Sequence, residues 1–158
     1  MTFSLVARCA KTGMFGIAIS SSSPAVAARC SFARAKVGAV ASQNVTDPTL
    51  GPLTLDLMQK GLSAEQAIQQ IQSIGKFIEY RQVLASDETG STSIHSGPNS
   101  LGIWTQAEGK DVAAGGNLLS NESIPQSIVD AYISSDGHIG DRLIAAMRSG
   151  LTAGGEAG

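Results

Sequence analysis

The chain has 158 residues, with 11 Lys and Arg against 13 Asp and Glu, a net charge of −2, and 15% charged residues where an ordinary soluble domain carries about 25%. That balance excludes an electrostatic footprint for nucleic acid. The longest apolar stretches, such as residues 37–41, are far too short to cross a bilayer.

Small residues dominate: 21 Ala, 20 Ser and 18 Gly, while hydrophobic residues still reach 42%. The length suits one domain, residues 1–158, with a real core. Cys9 and Cys30 form neither a disulfide framework nor a zinc-finger spacing. His95 and His138 have no second ligand at metal spacing, so no metal or cofactor is expected. The start MTFSLVAR carries no basic leader, which predicts a cytoplasmic protein rather than a secreted one.

Residues 2–7 alternate and are rich in strand formers, residues 11–13 are a turn signal, and residues 15–19 run back. Together they predict a hairpin over residues 2–19. Four serines and Pro24 follow, then a predicted strand at residues 36–41, whose Gly and Ala suit close approach of another layer. Pro52 fits a first helical turn, with Leu53, Leu57 and Met58 on one face and Gly61 as the stop. Ser63 and Gln66 stand at capping-box spacing before a helix that buries Ala67, Ile68 and Ile71 and ends at Gly75.

Strands are predicted again at residues 80–85 and 91–95 around a turn at 87–90, with two more near Trp104 and over residues 112–117. Ser123 and Pro125 predict a capped helix start, with Ile128, Val129 and Tyr132 facing inward. Residues 141–149 predict a last helix with Leu143, Ile144 and Met147 on its apolar side. The order is strands, helix pair, strands, helix pair, which argues for α+β layers with antiparallel sheet. The tail from Thr152 has no apolar residue larger than Ala. It reads as a flexible end, or as the point where a longer protein was cut.

Position 2 carries the most chemical information. Thr2 is small, which favours removal of Met1, and would then hold a hydroxyl and a free α-amine on one residue. The hydroxyl attacks, and the amine, with a reference pKa of about 7.7–8.0, takes the proton. On residue type alone Thr2 is also simply the first strand residue after a start codon. Ser20 and Ser21 read as a strand-end turn or as donors beside Thr2. Cys30 and Cys9 read as small buried hydrophobes, His95 as a hydrogen-bonding strand residue, and Asp130 and Asp141 as solvated helix positions.

The hairpin that begins at this Thr resembles the start of the N-terminal nucleophile (Ntn) hydrolases. More specifically, the chain resembles the family named domain of unknown function 1028. The resemblance rests on the opening MTFS, the Thr-Gly turn and the segment KVGAVA from Lys36. It continues through Gly51-Pro52, GLSAE from Gly61, Arg81-Gln82-Val83, Gly116-Asn117-Leu118-Leu119 and the tail AGGE from Ala153. These motifs span essentially the whole chain.

The resemblance implies a four-layer αββα sandwich with two antiparallel sheets between helix layers, and amide hydrolysis without a metal or cofactor. Thr2 would be the nucleophile, with Ser20 and Ser21 beside it and the cation of Lys36 or Arg34 on the adjacent strand to stabilise an oxyanion. Arg29 would clamp a substrate carboxylate, and Gly115, Gly116 and Asn117 would supply oxyanion donors. The implied partner is a small amide or peptide substrate, and a homo-oligomer is expected. Two other readings stand beside this one: a hydrolase whose nucleophile lies beyond Gly158 and is exposed by autocleavage, and a non-catalytic binding protein on the same scaffold.

Overall fold

In the computed structural model, residues 1–157 are described. They form β1 (Thr2–Arg8), β2 (Phe15–Ser21), α1 (Ala27–Cys30), β3 (Ser31–Arg34), β4 (Gly38–Asn44), α2 (Leu50–Gln59), α3 (Ala64–Ile74), β5 (Arg81–Asp87), β6 (Thr92–Ser96), β7 (Thr105–Gly109), β8 (Val112–Asn117), α4 (Ile124–Ser134) and α5 (Ile139–Thr152). The strands make two four-stranded antiparallel sheets, ordered β2-β1-β8-β7 and β3-β4-β5-β6. This is the expected mixed α+β class.

Strand alternation sorts the side chains. Phe3, Leu5 and Ala7 of β1 join Val112 and Ala114 of β8 in a cluster with Ile124, Ile128, Tyr132, Leu143 and Ala146 of α4 and α5. Val40, Val83 and Ala85 cluster with Leu55, Met58, Ala67, Ile68 and Ile71 of α2 and α3. The alternate residues, Val6 and Ala113 of one sheet and Ala39, Ala41 and Leu84 of the other, make a third cluster of smaller side chains. Here the alanine excess finds its place, since short side chains let the two sheets approach. Close approach also marks Gly16, where an added Cβ would lie 2.5 Å from Leu143 Cδ1 of α5.

The expected capping box is present: Ser63 Oγ accepts from Gln66 N, and Gln66 Oε1 accepts from Ser63 N at 3.0 Å. The buried Asp87 holds the neighbouring turn. Its Oδ1 accepts from Thr89 N, Thr89 Oγ1 and Ser91 N, and its Oδ2 accepts from Ala64 N at 2.8 Å.

Several expectations are corrected. The strand expected at residues 36–41 runs from Gly38 to Asn44, because Lys36 occupies a left-handed turn with φ 61°. The preceding single-turn α1 and the four-residue β3 lay outside the expected elements. Ser123 makes no cap to α4; its N–H and hydroxyl both donate to Asn121 Oδ1. Ile144 is 55% exposed rather than inward.

The tail is not free either. Ala157 N donates to Leu118 O and Ser120 N to Gly155 O, with Leu119 bridged to Glu156. As expected, Cys9 and Cys30 are buried, and His95 is fully bonded, to Gln72 Nε2 and to the Ile78 carbonyl.

Candidate functional site

Strand register brings three expected site residues into one row. Thr2 pairs with Ser21 on β2 and with Asn117 on β8. Thr2 is 7% exposed and Asn117 2% exposed. By alternation, Thr2 and Ser4 face the same way as Val6, toward the second sheet. Thr2 Oγ1 lies 2.9 Å from Ser21 Oγ, and each hydroxyl donates to the Met1 carbonyl, at 2.6 and 2.7 Å. Ser21 Oγ also accepts from Ser23 N at 3.1 Å. Two hydroxyls carry two protons. With both protons on Met1 O, none is left for the Thr2–Ser21 contact.

Behind this row lies a buried polar network that joins the sheets. Ser4 Oγ donates to Gln43 Oε1 at 2.5 Å, and Gln43 Nε2 donates to Gln82 Oε1 at 2.7 Å and to Gly115 O at 3.1 Å. Gln82 Nε2 donates to Ser96 Oγ at 2.9 Å and to Gly116 O at 3.2 Å, while Asn117 Nδ2 reaches Gln82 Oε1 at 3.4 Å. Gln43 and Gln82 are 1% and 0% exposed. Their amides therefore meet the requirement that buried polar groups be bonded.

Sequence reasoning missed both glutamines. For Gln43 the available signal was a polar residue in step with Ala39 and Ala41 on an otherwise apolar strand face, whereas Gln82, in step with Leu84 and Ser86, carried none.

The backbone around the row is unusual. Leu118, next to Asn117, has φ 50°, and Asn44, at the end of β4, has φ 73°. Left-handed non-glycine residues of this kind cost energy and gather at functional sites. Leu118 is held there from both sides, its N–H donating to Leu101 O and its carbonyl accepting from Ala157 N. Asn44 Oδ1 accepts from Leu101 N at 3.2 Å.

The other expected site residues lie elsewhere. Ser20 pairs with Phe3 and lines a groove with Phe3, Met147 and Leu151, on the face of the sheet away from Thr2. Lys36 shares a cavity with Arg8 and Phe15. That is the far end of β1, roughly 20 Å from Thr2 at the rise of a strand. Arg34 pairs with Asp56 at 2.8 Å and with Gln59 Oε1. Arg29 donates to the Pro24 carbonyl at 2.6 Å. Gly116 turns its α-carbon toward Leu119, where an added Cβ would lie 2.6 Å from Leu119 Cδ2. Thr2, Ser21 and Asn117 are thus brought together, without a neighbouring cation from Lys36 or Arg34.

The loop after β4 carries a perturbed carboxylate. The Thr49 hydroxyl holds the Asp47 pKa below its ordinary 3.8, helped by the Thr49 N–H and the charge of Arg81 against the opposing effect of burial. A carboxyl with a depressed folded pKa stabilises the fold above its unfolded value, and loses that contribution as pH falls through the folded one. Acid unfolding followed by circular dichroism should therefore show Asp47→Asn less stable than wild type near neutrality. The gap should close as pH drops below 3.8.

Two antiparallel sheets with helix pairs on separate faces define a mixed α+β protein whose candidate site lies at the start of its first strand. The chain belongs to the family of unknown function DUF1028, whose model matches residues 2–158. It is similar to the crystal structure of protein SPO2555 from Silicibacter pomeroyi, also assigned to DUF1028. The identity is 27% and the TM-score 0.92, over 97% of this chain and 71% of that chain. No curated protein matches it. Among the described residues no helix is long and apolar enough to cross a membrane.

Proposed function

We propose that this protein is an Ntn-type amidohydrolase acting on a small amide or peptide-like C–N bond, with Thr2 as nucleophile once Met1 is removed. The observation that carries this reading is the Thr2–Ser21 hydroxyl pair at 2.9 Å, flanked in register by Asn117. A four-layer αββα sandwich is part of the same reading, supported by helix pairs clustered on separate sheets and small residues between the sheets.

In this mechanism the Thr2 hydroxyl attacks the substrate carbonyl and its proton passes to the free α-amine. The Ser21 hydroxyl, released from Met1 O, donates to the developing oxyanion or to the amine. The amine then protonates the departing nitrogen as the C–N bond breaks, leaving an ester on Thr2. Water hydrolyses that ester with the amine again as base. Asn117 is held by Gln82 and closes the side of the site opposite Ser21.

A second reading, a non-catalytic binding protein, is favoured by the separation of Ser20, Lys36 and Arg34 from Thr2 and by the low exposure of Thr2. Intact mass spectrometry after incubation with a β-lactone separates the two. The hydrolase reading requires loss of Met1 and a single adduct that maps to Thr2. Retained Met1, or no adduct, favours the binding protein.

A further inference from the structure

At the end of the sheets remote from Thr2, a cavity of about 370 Å³ is lined by residues of the β3–β4 turn, α2, the start of α3 and the turn after β5. Its size falls within the range of small-molecule sites. Four of its polar side chains have hydrogen-bonding capacity left over. Among the described residues, the Lys36 ammonium has no ion-pair or hydrogen-bond partner, and neither has the Glu88 carboxylate.

The amides of Gln59 and Gln66 spend only their oxygens, on Arg34 and on Ser63 N respectively. Their NH₂ groups remain unused. All four line this one cavity, whose apolar wall is Val37, Met58 and Leu62.

Each group stands on a fixed support. Lys36 sits in the left-handed turn closed by Val37 N donating to Arg34 O at 3.1 Å. Glu88 rides on the turn that the buried Asp87 carboxylate holds through Thr89 N and Ser91 N. Gln66 is fixed by the capping box and Gln59 by the Arg34 guanidinium. The arrangement is not an anion site, because Glu88 would repel a purely anionic ligand. The Asp87 carboxylate in the same wall is already spent on Ala64, Thr89 and Ser91, so three free donors and one free acceptor beside an apolar wall match a zwitterion.

We infer that this cavity binds a free α-amino acid with an apolar side chain. Its carboxylate meets Lys36 Nζ and the Gln59 and Gln66 amides, its ammonium meets Glu88, and its side chain packs on Val37, Met58 and Leu62. The site is independent of Thr2 and of the proposed hydrolysis.

Calorimetric titration with L-leucine tests the inference, combined with NMR of the methyl-labelled methionines. L-leucine should bind and shift the Met58 methyl. Lys36→Gln and Glu88→Gln should each weaken it about tenfold or more without changing the melting temperature, since both side chains are exposed. N-acetyl-L-leucine, which lacks the ammonium, should bind wild type weakly and lose nothing further in Glu88→Gln. L-leucinamide, which lacks the carboxylate, should behave the same way toward Lys36→Gln. No binding of L-leucine at millimolar concentration, equal binding of all three probes, or binding that leaves the Met58 methyl unmoved would overturn the inference.

Discussion

Thr2→Ala is expected to lower amide hydrolysis by about 10⁴-fold or more, the usual scale for removing a covalent nucleophile, while leaving the fold intact. Thr2→Val makes the sharper comparison, since it keeps the β-branched shape that suits the first residue of β1 and removes only the hydroxyl. Both replacements are small, so Met1 removal should proceed as in wild type and the free amine should remain. Thr2→Ser keeps hydroxyl and amine together and should retain most of the activity. Ser21→Ala should cost less, about 10- to 100-fold, because it removes one donor and not the bond-forming atom. Steady-state kinetics on a panel of small amides measures all four. Hydrolysis that survives in Thr2→Val would remove Thr2 from the mechanism, whatever the mass of the N-terminus.

The series also tests the role of Met1. In the structure the Met1 carbonyl takes a proton from both the Thr2 and the Ser21 hydroxyls. Met1 therefore occupies the donors that a substrate carbonyl would need. Removal of one residue both creates the base and frees the donors, so a protein forced to keep its first residue should be as inactive as Thr2→Ala. Processing leaves the β1–β2 ladder intact, since Met1 precedes its first pair, but it removes the shared acceptor of the two hydroxyls, so the processed form should be the less stable by about 1 kcal/mol.

The parts of the fold that were legible in the sequence are those fixed by nearby residues. The β1–β2 hairpin follows from alternation around a turn, and the start of α3 from Ser63 and Gln66 three residues apart. Lys36 was misplaced because its alternation with Val37–Val40 neighbours reads as strand, while the left-handed turn there uses Lys instead of the Gly or Asn that would have announced it. Helix α1 is a single turn and β3 only four residues, too short for either period to register.

Ser123 looked like a cap because Gln126 stands three residues on and Pro125 falls inside the first turn, yet Asn121 captures its hydroxyl first. At the site, Thr2 and Asn117 were legible as residue types. That Ser21 and not Ser20 stands beside Thr2 depends on the ladder register, and a shift of one residue reverses every side chain. Gln43 and Gln82 are 39 residues apart in sequence, and only the register of β4 against β5 makes them partners.

That pairing sets the second large effect. Gln82→Leu should destabilise the protein by about 3 kcal/mol, because it strands one hydrogen of Gln43 Nε2 and the Asn117 amide in a dry interior, each at about 1–3 kcal/mol before relaxation. Gln43→Leu should cost a similar amount by stranding the Ser4 hydroxyl and taking from Gln82 Oε1 its nearer donor. The double variant should cost clearly less than the two singles together, since each single leaves the other glutamine unpaired and the double leaves neither. Urea unfolding of the four proteins gives the coupling directly. Additive costs, or single costs within the scatter of surface substitutions, would mean that the inter-sheet amides do not act as a unit. A positive coupling together with lost hydrolysis in both singles would make Gln82 a positioning residue for Asn117. In that case restoring stability elsewhere in the protein should not restore the rate.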